Sequence, residues 1–169
     1  MRDFFAGALS AIVVLAVGAF GYIGLGFAAV GADAKPGVWE AGFMRSAVHA
    51  SVRREARGLQ NPLVPTDATL IAGGKLYLAD CAGCHGAPGG SSSKFPTTFY
   101  PEVPQLSLGG TQYSEAEVFW VAKHGIRRTG MFPQGPYYTN SELWSLSAFI
   151  TRIKNLSPSV LYSIQQQAK

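Results

Sequence analysis

Cys81 and Cys84 are the only cysteines in this chain of 169 residues, and His85 follows directly. Thiols three residues apart on a tight helical turn can each form a thioether to one of the two vinyl groups of a haem. The adjacent imidazole can then swing beneath the ring to bind iron. Ala82 and Gly83, both small, leave room for the macrocycle's edge. Two other chemistries use these residue types. A zinc site wants four Cys or His ligands, and beyond the motif only His49 and His124 remain, neither at finger spacing. A thioredoxin-like dithiol expects a strand-helix-strand context, which the sequence lacks. The motif therefore predicts one covalently bound haem c with its iron.

An iron that passes electrons without binding small molecules needs a sixth ligand, and a thioether suits a high potential. Met1 lies outside any such domain and Met44 far upstream, so Met131, beside Gly130 and close to Pro133, is the candidate. Its alternatives are His124, His49, and a Met131 that merely packs its loop. Apolar walls raise the potential further, because a low-dielectric pocket disfavours the extra charge of ferric iron. Tyr77, Leu106, Phe119, Trp120 and Phe132 are the expected walls.

The elements that must position these groups are helical. Asp67 is placed to cap a helix whose Leu70, Gly74, Tyr77 and Cys81 fall near one face, with the cysteines at its end. Residues 86–104 are rich in Gly, Ser, Pro and Thr and read as a long surface loop, one that a large flat cofactor would give something to pack against. Two capping boxes follow. Ser114 with Glu117 opens a helix ending at Gly125, and Thr139 with Glu142 opens one bearing Leu143, Leu146, Ile150 and Ile153, stopped by Pro158. The segment from Ser159 to Lys169 carries no readable signal, and no repeat or strand is evident.

Upstream, Phe4 to Ala32 is an uncharged run of 29 residues. As a helix it would reach about 43 Å, against about 30 Å of hydrocarbon, so it reads as an uncleaved transmembrane anchor, with a cleaved signal as the alternative. Gly18, Gly21, Gly24 and Ala28 would let another membrane helix approach, and a lone anchor facing lipid is the other reading. Arg2 with Asp3 and Asp33 with Lys35 balance one another, so haem attachment rather than flanking charge must orient the segment. Residues 37–57 read as a weakly amphipathic helix with Trp39, Phe43 and Ala50 roughly on one side. Arg45, Arg53, Arg54 and Arg57 make its second half basic, as a docking surface, an acidic-lipid contact or a solvated face. Asn61-Pro62 and Val64-Pro65 then mark a linker.

The formal charge is +4, with no long basic run, which argues against nucleic acid and fits an acidic protein partner. Lys94, Lys123, Arg127 and Arg128 flank the predicted haem loops and could ring its exposed edge.

Residues 66–156 resemble a class I monohaem cytochrome c, the small all-α family with an early CxxCH and a later axial methionine. Gly73 and Tyr77 stand ahead of Cys81 as the family's helix-crossing glycine and aromatic do, and Leu143, Trp144 and Phe149 resemble its carboxy-terminal helix. Lys123-His124-Gly125-Ile126 through Met131 resembles the approach to its axial methionine, although Phe132 separates Met131 from Pro133 where the family usually has Met-Pro. The resemblance implies terminal helices crossing at Gly73, and a proline carbonyl accepting the free imidazole proton of His85. Pro104 best matches that proline, and Pro96 and Pro101 compete. The expected architecture is thus a transmembrane anchor at 1–33, a juxtamembrane helix and linker at 34–65, a helical domain wrapped around haem at 66–157 and a tail at 158–169. Its expected activity is outer-sphere transfer of single electrons to redox protein partners, as a free carrier or a fixed subunit of a respiratory or photosynthetic complex. The expected location is a single-pass inner-membrane protein with the haem domain on the periplasmic or extracytoplasmic side. The alternative is a ligand sensor or peroxidase with an open sixth position.

Overall fold

Each run of apolar residues at helical spacing is a helix in the computed structural model, which describes every residue except 29, 32, 33, 35, 91, 92, 94–96, 98 and 167–169. Among the described residues there is no strand. Met1–Lys35 and Pro36–Lys169 are two compact units.

The first unit holds α1, Arg2–Gly24, with no buried residue. Its 23 residues correspond to about 35 Å, so the helix is shorter than the uncharged run but long and apolar enough to cross a membrane. Gly24 and Gly26, the latter at φ 78°, end it before the run is exhausted.

In the second unit, α2 (Val38–Glu55) packs against α6 (Glu115–His124) through its carboxy-terminal end. Val52 and Ala56 are buried there, whereas Trp39 and Phe43 point outward at 92% and 73% exposure. The presumed linker after α2 is instead a strap. Asn61 donates to the Glu115 carboxylate and to the Trp144 carbonyl, and Leu59 and Leu63 pack onto the core.

The N-cap of α3 (Asp67–Leu76) is Thr66, whose hydroxyl accepts from the Thr69 amide. Asp67, expected to cap, is the first helical residue and accepts a hydrogen bond from Ser159. α3 crosses α7 (Asn140–Arg152) at Gly73, where a Cβ would lie 2.1 Å from the Ser145 carbonyl oxygen. Only glycine permits that approach. α7 also packs on α6, and Leu143, Leu146 and Phe149 are almost wholly buried between its neighbours. Burying each such side chain stabilises the fold by about 1.5–3 kcal/mol.

Both capping boxes form: Ser114 with Glu117 on α6, and Thr139 with Glu142 on α7. Pro158 ends nothing more than a short turn. It is the first residue of α8 (Pro158–Gln165), where its missing amide costs nothing, and Ser157 caps the helix. Val160 and Ile164 are fully buried, with Ile164 in the main core, so the segment expected as a tail completes the packing on α3.

Candidate haem-attachment site

The helix carrying the motif changes character just before it. After α3, Tyr77–Cys81 forms a π-helical turn, and Ala82–His85 resumes as the short helix α4. A π turn inserts one residue and so re-aims whatever follows it. Here it comes directly before the attachment residues, and Cys81 packs against the core at its end.

Tyr77 braces this turn from within. Its phenol donates to the Gly86 carbonyl at 2.7 Å, its ring packs on Phe149, and it has no exposed surface. It therefore presents no surface to a bound group, unlike the wall expected from the sequence, and burial raises its pKa. Phe119 is likewise a core residue, stacked on Trp144 with ring centroids 3.9 Å apart. Leu106 opens the short helix α5 (Leu106–Gly109) and is buried, Trp120 is half-buried against His124, and Phe132 is 55% exposed.

Cys81 and Cys84 are free thiols, both half-buried. Burial, reinforced by the charge of Asp80 and by Cys84, pushes the Cys81 thiol up to about 12. A reactive dithiol needs the opposite shift. His85 Nδ1 lies 2.8 Å from the Pro104 carbonyl oxygen, which fixes the ring and leaves Nε2 uncommitted. Burial lowers the His85 pKa while the Pro104 bond opposes it, so the imidazole is held in the neutral form that ligates metals.

Among the described residues no three His, Cys, Asp or Glu side chains converge on a point that could hold a bare metal ion. Two separate thiols beside one backbone-tethered imidazole suit a cofactor attached at three places. The donor set therefore fits a haem held by Cys81, Cys84 and His85.

Two supports were not anticipated. Gln105, next to Pro104, accepts from the Ser93 amide and donates to the carbonyls of Cys84 and Val103, stapling the long loop to the motif. Tyr138 donates to the Asp80 carboxylate, tying the segment before α7 to the residue preceding Cys81. A glutamine beside the proline is the only sequence trace of the first; the second joins residues 58 positions apart and leaves none.

Met131 is half-buried in a closed loop after α6. Gly125 caps α6 at φ 68°, the Ile126 amide donates to the Met131 carbonyl at 2.8 Å, and the Met131 amide donates to Thr129 Oγ1. Phe99 lies against Gly130, where a Cβ would meet its ring at 2.7 Å. His124 is exposed beside Trp120, His49 packs on Tyr113, and Met44 is 48% exposed on α2. Lys123 bonds to Asn140, Arg127 and Arg128 are exposed, and Lys94 and Pro96 lie outside the described residues.

Residues 68–150 match the family described as cytochrome C oxidase, cbb3-type, subunit III, just under half of the chain. No curated protein and no solved structure matches.

Proposed function

We propose, from the premise that residues 68–150 are a class I-like monohaem cytochrome c domain carrying covalent haem c, that this electron carrier works as a membrane-anchored member of an electron-transfer complex. The observation that carries the reading is the tethered imidazole of His85, 2.8 Å from the Pro104 carbonyl, directly after the two thiols. When bound, the haem supplies a reversible one-electron change at iron.

The chain's own groups do the rest. Cys81 and Cys84 fix the ring covalently, and Pro104 holds His85 in one orientation and raises its basicity. Met131 is the proposed sixth ligand, supported by its half-buried place in a loop pinned at Ile126 and Thr129 and by the engagement of His124 and His49 with aromatic neighbours. Leu106, Trp120 and Phe132 exclude water from the ring. Lys123, Arg127 and Arg128 would face an acidic redox partner.

α1 anchors the chain in this reading, with the haem domain on the extracytoplasmic side. The subunit description of the matching family supports assembly with other membrane subunits. A stable stoichiometric complex in mild detergent is the expected result; a chain that purifies alone is a free carrier instead.

The visible spectrum of the native protein tests the site. Pigment that stays with the denatured chain, together with a methionine-iron charge-transfer band, is expected. Pigment released by denaturing extraction overturns the covalent site, and carbon monoxide binding to the native ferrous protein overturns the Met131 ligand.

A further inference from the structure

α2 has two faces. Ala41, Val48, His49, Val52 and Ala56 fall within about 100° of arc and are buried or half-buried. Trp39, Phe43, Ala50 and Arg54 fall within about 60° on the other side, and all are exposed. Val38, Trp39, Gly42, Phe43 and Ser46 line an open, shallow groove along the first half of the helix. An indole 92% exposed beside a phenyl 73% exposed is a poor surface for water.

What covers it is indicated by the chain itself. Thirteen residues, Leu25 to Gly37, separate the end of α1 from the start of α2. Fully extended they reach about 45 Å at most, so with α1 in a bilayer the first turn of α2 is within reach of the bilayer surface. Tryptophan and phenylalanine suit that boundary, where an apolar ring meets headgroups. Arg53 and Arg54 extend the same side of the helix and suit anionic lipid, although Arg54 also pairs with Glu55.

We propose that the outer face of α2 is seated on the membrane, with Trp39 and Phe43 in the headgroup boundary and Arg53 and Arg54 over anionic lipid. The inference rests on the reading of α1 as a membrane anchor. Because the Asn61 strap and the Val52 and Ala56 contacts hold α2 onto the haem domain, the seat fixes how that domain stands over the bilayer. The haem is carried on a mount rather than on a loose tether.

The test uses the full haem-loaded chain in vesicles of phosphatidylcholine and phosphatidylglycerol, with or without bromine on the upper acyl carbons. Subtracting the emission of Trp39→Phe isolates Trp39 from Trp120 and Trp144. The seat predicts that the protein floats with the vesicles, and that Trp39 emission falls by about twofold with brominated lipid, as for a face buried roughly 5–10 Å into the boundary. Iodide in solution should not quench it.

Flotation with Trp39 unaffected by bromine and open to iodide overturns the seat and leaves the anchor standing. Flotation with Trp39 shielded from both quenchers also overturns it, because a protein surface such as a second copy then covers the face. A protein left in solution when the vesicles float overturns the anchor reading, and the seat with it.

Discussion

At the scale of single residues, the site depends on side chains that hold the attachment motif in place. Replacing Met131 by alanine should lower the reduction potential by on the order of 0.1 V and open the iron to carbon monoxide, read by redox titration and ligand-binding spectra. Gln105→Ala removes an acceptor for Ser93 and a donor to Cys84 and Val103. The denaturant midpoint should fall by an equivalent of about 1–3 kcal/mol, while covalent haem is retained. Tyr138 makes a pH prediction. Its hydrogen bond to Asp80, then burial and nearby charge, raises the phenol to about 12 from an ordinary value of 10.0. A folded-state pKa above the unfolded one contributes stability below the unfolded value, and that contribution is lost as pH rises through the folded one. The Tyr138 phenol should therefore ionise near 12 in an ultraviolet titration. In Tyr138→Phe that step should be missing, while the buried Tyr77 still ionises late.

At the scale of elements, the crossing of α3 and α7 has the least tolerance. Gly73→Ala puts a methyl 2.1 Å from a backbone oxygen that cannot rotate away, so the helices must part. A loss of about 3 kcal/mol is expected, measured by thermal unfolding of the haem-loaded protein. Elements whose cause is local were readable from the sequence. The boxes Ser114 with Glu117 and Thr139 with Glu142 each close within one turn, and both form. The attachment motif is equally local. The π turn at Tyr77–Cys81 was not readable, because it answers to the packing of Tyr77 under Gly86 rather than to its own residues. α8 had a readable start in Ser157-Pro158, but the same proline also reads as a stop, and only two side chains in it reach full burial. Trp39, Phe43 and Ala50 do share a face of α2, yet spacing alone could not tell an outward face from an inward one.

At the scale of the whole molecule, a net charge of +4 would steer the encounter with the acidic partner proposed above. The association rate should fall by about tenfold or more from low to high salt, in stopped-flow measurements with such a partner. A rate indifferent to salt would discard the steering. The late position of α8 bears on how the protein is made. It begins 73 residues beyond His85, so at about 5–20 residues per second the thiols emerge from the ribosome several seconds before Val160 and Ile164 can seal the interior. Until that last helix arrives, the side of α3 it packs against stays uncovered.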